Sequence, residues 1–260
     1  MTWALAALLA ASAAVELYQK ANSLFQRQKF PESLAAVEQA LQLDPKLAPA
    51  WTLKAKLDMA ANRMDLARES LARAVEADPS FAYAQFLFGF YYYLENDFEK
   101  ALPPLERARE QDPADPRPRF YLALSHEGMG RAGQALVFYR QALELEDQQG
   151  RPLAETRVAF GRFLFSLGRY EESAQAIDHA LALDPHSRDA HYERGRLLFE
   201  SSDFPGAARH GEKALSLTGM GTSDRSIHFL LGRAYLKTGR KDLADLHLAK
   251  FRASAPSLRR

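Results

Sequence analysis

The chain has 260 residues, of which 47% are hydrophobic, and its 34 basic and 33 acidic residues leave a formal net charge of +1. This composition supports a large buried core and excludes a disordered tail, while the balanced charge argues against nucleic acid as the main partner. The chain contains no cysteine, which excludes disulfides, iron–sulfur clusters, cysteine-ligated zinc and cysteine-linked lipid anchors.

The N-terminus carries an uncharged run rich in alanine and leucine, from Trp3 to Ala14. This run is shorter than the roughly 20 residues that a membrane-spanning helix needs. Ala11-Ser12-Ala13 is similar to the cleavage site of a secretory signal, whereas no basic residue precedes the run. Residues 1–13 are therefore either a signal segment or an N-terminal cap on the first of the helical repeats described below. We favour export, to the periplasm or out of the cell, over a cytoplasmic location.

A fixed period runs through the rest of the chain. Pro45, Pro79 and Pro113 each follow an aspartate and lie 34 residues apart, and Pro185 closes a later copy after an insertion. Three columns of small residues share this period, with Phe251 as the one large member: Ala21, Ala55, Gly89, Ala123, Gly161, Gly195 and Gly232; Ser33, Ala67, Ala101, Ala135, Ser173, Ala207 and Ala244; Ala40, Ala74, Ala108, Ala142, Ala180, Ala214 and Phe251. Small side chains at a fixed period allow two helices to approach closely. The pattern predicts seven helical hairpins, at 14–47, 48–81, 82–115, 116–149, 154–187, 188–221 and 225–252, followed by a basic flexible tail at 253–260.

One second helix carries the pattern most fully, from Tyr170-Glu171-Glu172-Ser173 to Ala180-Leu181-Ala182-Leu183-Asp184-Pro185. Together with the three columns, it resembles the tetratricopeptide repeat family over about residues 14 to 252. The resemblance implies an all-α fold, a right-handed superhelical solenoid of about seven helix-turn-helix repeats in which the first helices line a concave groove. Each repeat would then bury its apolar face only against its neighbours.

Two repeats depart from the pattern. Pro103-Pro104 falls inside the second helix of the third repeat, where it removes backbone donors and is expected to kink the helix. In the sixth repeat, Pro205-Gly206 opens the second helix and Gly211 replaces a bulky residue, so we expect this repeat to be the weakest.

The sequence shows no catalytic arrangement. An H-E-x-x-H motif and a G-x-x-x-x-G-K loop are both absent, and no Ser, His and Asp set has a strand-turn-helix context. A group of acidic residues and histidines, Asp178, His179, Asp184, His186, Asp189 and His191, spans two helix ends and a turn, and we interpret it as ordinary surface. We therefore expect no enzyme activity, no metal site and no cofactor.

The resemblance implies that the residue after the first small column, and the residue three before it, point into the groove. In the third and fourth repeats these are Phe86, Phe90, Phe120 and Leu124, and Tyr83 and Tyr93 extend the same helix face. A helix that is apolar on all sides is either fully buried or presents a ligand surface. The aromatic residues therefore either bind a partner or simply stack on one another.

In the last three repeats the residue after the small column is an arginine, namely Arg162, Arg196 and Arg233. Guanidinium groups suit carboxylates, so this ladder predicts capture of an acidic peptide or a C-terminus. The alternative is a set of internal ion pairs with Glu193, Glu200 or Asp189.

These patterns predict a non-catalytic scaffold that binds a protein or peptide segment with apolar and acidic residues, and neither nucleic acid nor an integral membrane span. The alternative is a structural subunit that docks by its end faces into a larger assembly, such as one of the cell envelope. The carboxylate clamp of chaperone-binding relatives uses Lys and Asn in the first repeats. Here Asn22, Thr52 and Lys56 do not reproduce it, so the sequence does not predict a heat-shock cochaperone.

Overall fold

The computed structural model describes residues 2–218 and 221–254, with side chains from Leu9 onward, and in this part of the chain all regular structure is helical. The helices follow one another in pairs: α1 (Thr2–Gln26) and α2 (Phe30–Leu43), α3 (Ala48–Ala60) and α4 (Met64–Ala77), α5 (Ala82–Leu94) and α6 (Phe98–Gln111), α7 (Arg117–Gly128) and α8 (Ala132–Gln148), α9 (Ala154–Ser166) and α10 (Tyr170–Leu183), α11 (Arg188–Glu200) and α12 (Phe204–Ser216), α13 (Asp224–Lys237) and α14 (Lys241–Ala253). The predicted all-α helical-repeat solenoid is confirmed.

The chain divides into two compact units, at Leu145 and Glu146. In the first unit the core includes Leu71, Leu105 and Leu122, which are fully buried. The core of the second unit includes the fully buried Ile177 and Leu231. Both cores are built from the faces that adjacent hairpins turn toward each other, as a repeat protein requires.

The two ends of the array differ from the predicted boundaries in detail. Helix α1 begins at Thr2, so residues 2–13 and the first predicted helix form one continuous helix. At the other end Ala253 is the last residue of α14, although the tail is expected to begin there. Residues 255–260 of that tail, and residues 219–220 between α12 and α13, lie outside the described residues. None of the described helices is long and apolar enough to cross a bilayer.

The first two columns of small residues lie where the two helices of a hairpin touch. A Cβ placed on Gly89 would lie 2.5 Å from Leu105 Cγ, and one placed on Gly161 would lie 2.6 Å from Ile177 Cδ1. In the second column, the Ser173 hydroxyl donates to the Gly161 carbonyl at 2.6 Å. The columns are therefore small because the opposing helix occupies the space that a side chain would need.

The turn between the two helices of each described hairpin contains one residue with φ between 56° and 73°. These residues are Gln28, Asn62, Asn96, Gly130, Gly168, Ser202 and Gly239. Glycine adopts this left-handed conformation without steric cost, and asparagine tolerates it better than most residues. Gln28 and Ser202 hold the conformation without either advantage.

Four of the turns between consecutive hairpins have the same hydrogen bond. Near the start of the first helix, a side-chain nitrogen reaches back to the carbonyl of the turn proline. The pairs are Trp51 Nε1 with Pro45 at 2.8 Å, Gln85 Nε2 with Pro79 at 3.1 Å, Arg119 Nη1 with Pro113 at 3.0 Å, and His191 Nε2 with Pro185 at 3.1 Å. Four different residue types thus satisfy the same backbone acceptor.

The two irregular repeats are accommodated locally. Helix α6 continues through Pro103 and Pro104 to Gln111. In the sixth hairpin, Asp203 caps α12 by accepting the Gly206 N–H at 2.8 Å. A Cβ on Gly211 would lie 2.9 Å from Leu231 Cδ2, so Leu231 occupies the space beside this glycine and no gap is left.

Candidate functional site

In the first unit, aromatic residues of α5 and α7 form a contiguous cluster. The Phe90 ring lies 4.9 Å from the Tyr121 ring, edge to face, and the Tyr93 ring lies 5.2 Å from the same tyrosine. The Phe120 ring lies 5.3 Å from Tyr121. Tyr121 lies at neither of the two positions that were predicted to face the groove, yet it is the residue that joins the predicted aromatic residues. Leu124 is half-buried on the same helix.

Phe86 lies beneath this cluster, with only 6% of its surface exposed. Its ring stacks on Phe90 at 6.2 Å and lies 5.7 Å from Tyr121, and the Arg117 guanidinium covers it at 4.7 Å. Phe86 is therefore a packing residue. The half-buried Tyr83, Phe90, Tyr93 and Phe120 supply the accessible area of the cluster.

In the second unit, arginines of one first helix stack on phenylalanines of the preceding first helix. The Arg196 guanidinium on α11 lies 3.9 Å from the Phe165 ring of α9. One repeat later, the Arg233 guanidinium on α13 lies 4.3 Å from the Phe199 ring of α11. Each contact contributes about 0.5–2 kcal/mol, depending on how far it is removed from water. The same interaction therefore recurs from hairpin to hairpin.

The two arginines differ in their charged partners. Arg196 Nη1 donates to Glu193 Oε2 at 2.6 Å, and the Glu193 carboxyl is almost completely buried. Burial raises the pKa of Glu193 above its ordinary value, while the positive charges of Arg196 and of the exposed Arg162 act against that shift. Among the described residues no carboxylate pairs with Arg233. Glu193 thus fixes the position of Arg196, whereas the guanidinium of Arg233 is available to a ligand.

These residues enclose a cavity of about 290 Å³ on the first-helix face of the second unit. Its lining consists of Phe165, Tyr192, Arg196, Phe199, Glu200, Phe229, Leu230 and Arg233. Phe229 is 41% exposed, and Glu200 is also exposed. A cavity of this size, with aromatic walls and a few charged groups, is large enough for one large side chain.

Of the three arginines that follow the first small column, Arg196 and Arg233 line the cavity, and Arg162 lies outside its lining. Tyr192 and Phe229, which lie three residues before that column, also line the cavity. The internal ion pair expected for Arg196 forms with Glu193. Asp189 instead accepts the Thr222 N–H at 2.6 Å. Phe165 and Phe199 lie at neither of the two predicted groove positions, although the sequence contains a pattern that marks both of them. Each ends a Gly-Arg-x-x-Phe segment, Gly161 to Phe165 and Gly195 to Phe199.

The acidic residues and histidines around the Pro185 turn point to separate partners. Asp178 pairs with Arg194 at 2.8 Å, and His179 Nδ1 accepts from Arg157 Nε at 3.1 Å. His191 Nδ1 lies against His210 Nδ1 at 3.1 Å. Within residues 2–218 and 221–254, no three potential ligands come together as a metal site would require.

The fold and this cavity define a helical-hairpin repeat protein whose first helices carry the accessible aromatic and arginine side chains. Family models described as "Tetratricopeptide repeat" match residues 24–87, 91–152 and 158–224. The chain belongs to the tetratricopeptide repeat family, as the sequence pattern predicted.

Several known proteins are similar to this chain. Anaphase-promoting complex subunit 3 of Schizosaccharomyces pombe is 22% identical over 226 residues, which is 87% of this chain and 33% of that protein. The DnaJ homolog subfamily C member 3 homolog of Dictyostelium discoideum is 32% identical over 119 residues, which is 44% of this chain and 22% of that protein. The chain thus spans a third or less of these two relatives.

A solved structure of a tetratricopeptide repeat protein from Parabacteroides merdae matches with a TM-score of 0.70 at 16% identity and covers 95% of each chain. At this identity the likeness concerns the fold alone, and it extends over nearly the whole chain.

Proposed function

We propose that this chain is a non-catalytic protein-interaction scaffold that binds peptide segments on the face formed by its first helices, the face that would line the concave groove. The observation that carries the proposal is the cavity on α9, α11 and α13. It combines aromatic walls with Arg233, a guanidinium that pairs with no carboxylate among the described residues. Family membership supports the same class of function, and one relative is by name a subunit of a complex.

The preferred ligand is a segment with an acidic group beside an apolar side chain. A carboxylate can take two N–H donors from the planar guanidinium of Arg233. The ring of Phe229 and the side chain of Leu230 then cover the neighbouring apolar side chain. Arg196 contributes its charge to the same cavity while Glu193 and Phe165 fix its position.

In the first unit, the accessible area of Tyr83, Phe90, Tyr93 and Phe120 is proposed as a second contact surface for apolar side chains. Phe86 supports this surface from below, so Phe86→Ser should lower the stability of the fold. A variant on the accessible side, Phe90→Ser, should weaken binding with a smaller loss of stability. Thermal unfolding of both variants separates the two roles.

The proposal is tested with a random peptide library selected against the intact chain, followed by affinity measurements on the enriched peptides. We expect enrichment of Asp or Glu next to an apolar residue. Arg233→Gln should lower affinity by at least about tenfold, because a hydrogen bond to a charged group contributes roughly 1.5–3 kcal/mol. Arg252→Gln, an exposed arginine on α14, is the matched control and should leave affinity unchanged.

Two outcomes would contradict the proposal. One is a set of enriched peptides without acidic residues. The other is equal affinity of the Arg233→Gln and Arg252→Gln variants for an acidic peptide.

A structural subunit that docks by its end faces is the second candidate, and exposed leucine on the last helix favours it. Leu246 of α14 is 48% exposed. Deletion of the whole last hairpin would remove Arg233 and Phe229 from the cavity, so a point variant separates the two functions better. Leu246→Asp should abolish assembly and leave peptide affinity intact if docking by this end is the function.

A further inference from the structure

Two histidine pairs occupy equivalent positions in the last two hairpins. His191 Nδ1 on α11 lies 3.1 Å from His210 Nδ1 on α12, and His228 Nδ1 on α13 lies 2.9 Å from His247 Nδ1 on α14. Both pairs join the first helix of a hairpin to its second helix. The members of each pair are 19 residues apart, as equivalence between repeats requires.

The rings in each pair meet through their Nδ1 atoms and do not stack. The ring centroids lie 5.2 Å apart in the His191–His210 pair and 5.1 Å apart in the His228–His247 pair, well beyond the nitrogen-to-nitrogen distances. A hydrogen bond between two such nitrogens needs one that carries a proton and one that does not. Each pair therefore holds its hairpin together only while at least one of its rings is neutral.

The Pro185 carbonyl assigns the donor in the first pair. His191 Nε2 lies 3.1 Å from this oxygen, which can only accept, so Nε2 carries a proton. A neutral His191 then presents a bare Nδ1, and His210 Nδ1–H donates to it. Protonation of both rings would place two N–H groups against each other.

The surroundings of the first pair disfavour positive charge. Arg194 on α11 and Arg209 on α12 face His210, and the carboxylate of Asp178 on α10 is already paired with Arg194 at 2.8 Å. Burial, followed by His191 and these arginines, lowers the pKa of His210 below its ordinary value.

The second pair is more deeply buried, and its surroundings are mixed. Lys250 on α14 opposes protonation of both rings, while Asp224 on α13 favours it at His228 and Glu212 on α12 favours it at His247. Glu212 already accepts the phenol hydrogen of Tyr235, whose ring lies 5.7 Å from His247. Burial is the largest cause that lowers the pKa of both His228 and His247.

We propose that the two histidine pairs are acid-sensitive clasps, which hold the last two hairpins closed at neutral pH and release their second helices on acidification. A second proton on either pair removes the shared hydrogen bond and places two positive rings in contact within a partly dehydrated site.

The direction of the effect follows from the lowered pKa values. Unfolded histidines titrate near 6.5, above the folded His210, His228 and His247, so the opened hairpin binds more protons than the closed one as pH falls. The contribution of the pairs to stability is complete above about pH 6.5 and is lost as pH falls through the folded pKa values. For each proton taken up on opening, the equilibrium constant for opening of the hairpin rises by as much as tenfold for each unit by which the pH falls.

The test is hydrogen–deuterium exchange of the full chain at about pH 7.5 and about pH 5.5, resolved to individual helices and corrected for intrinsic exchange rates. We expect α12 and α14 to lose up to about tenfold more protection than α10 between these conditions. The double variants H191Q/H210Q and H228Q/H247Q should each lose this extra sensitivity in their own hairpin, because an amide pair can bond but cannot titrate. His186→Gln, an exposed histidine on the Pro185 turn, is the matched control and should behave as wild type.

Ring titration of the wild-type chain by nuclear magnetic resonance provides a second measurement that needs no variant. His210, His228 and His247 should titrate below the ordinary value for histidine, and His228 and His247 should do so in two separate steps. The proposal is overturned if the paired rings titrate as independent, unperturbed histidines. It is also overturned if folded double variants keep the acid sensitivity of wild type.

A consequence for ligand binding rests on the proposed function. His191 and His228 directly precede Tyr192 and Phe229, which line the cavity, so release of the clasps should weaken peptide binding at acid pH. If exchange is acid-sensitive but no acidic peptide binds at neutral pH, the proposed function fails and the clasps stand. If peptides bind but exchange in α12 and α14 is not acid-sensitive, the clasps fail and the proposed function stands.

Discussion

Replacement of Arg157 by methionine should destabilise the second unit by about 3 kcal/mol. Arg157 is 2% exposed, and its Nη1 donates to Glu146 Oε2 at 3.0 Å and to the Leu153 carbonyl at 3.2 Å. Glu146 is also 2% exposed. Removal of one partner from a buried ion pair costs about 3–5 kcal/mol, because the remaining charge stays buried without compensation.

The lower end of that range applies here because Glu146 keeps two other donors. The Thr156 hydroxyl donates to Glu146 Oε1 at 2.6 Å, and the Leu153 N–H donates to Glu146 Oε2 at 3.1 Å. The double variant R157M/E146Q, which removes both charges, should recover about half of the loss, since no buried charge is then left unpaired.

Urea unfolding, followed by circular dichroism, measures these differences as shifts in midpoint at constant slope. Asp147→Asn is the matched control. Asp147 pairs with the same arginine but is 53% exposed at its side chain, so its loss should cost less than about 1 kcal/mol. The reasoning is refuted if Arg157→Met costs no more than Asp147→Asn, or if the double variant is less stable than the single one.

Three further variants test the turns, the small columns and one buried phenol. Gln28→Gly should raise stability by about 1 kcal/mol in urea unfolding, because Gln28 has a φ of 60° that glycine adopts without steric cost. Gly89→Val should lower the unfolding temperature, at a cost of at least about 1–3 kcal/mol, since its Cβ would meet Leu105. Gly133→Ala should not lower the unfolding temperature, because no neighbouring heavy atom lies within 4 Å of the added Cβ. Burial and a hydrogen bond to a carboxylate raise the pKa of Tyr235 to about 12. The stability that its phenol contributes should be complete below the ordinary pKa near 10 and be lost as pH rises from 10 through 12, and Tyr235→Phe should remove the last phenolate step from an ultraviolet titration.

The sequence was sufficient to predict the fold because the small columns encode one contact repeated along the chain. The close approach of Gly89 to Leu105 and of Gly161 to Ile177 forces glycine or another small residue at the same place in every hairpin. A requirement that recurs with a fixed period can be recognised without knowing which residue lies opposite.

The candidate site was less accessible to sequence reasoning because its contacts join residues of different repeats. Arg196 pairs with Glu193 on its own helix, a spacing that the sequence shows directly. Its stacking on Phe165 depends on how far one first helix is displaced along the next, which no local spacing encodes. The burial of Phe86 beneath Tyr121 has the same origin, since a helix that is apolar on all sides does not reveal which side a neighbour covers.

The hydrogen bond from the first helix to the turn proline has a consequence for how such chains diverge. Trp51, Gln85, Arg119 and His191 have neither size nor charge in common, yet each places an N–H within reach of the same kind of carbonyl oxygen. The junction requires only an N–H within reach of the carbonyl, so an exchange between unlike donors such as these would preserve the hydrogen bond, while an apolar residue of similar size would lose it. A scoring scheme based on residue similarity would treat the position as unconstrained, although exchange of whole hairpins between proteins would depend on it.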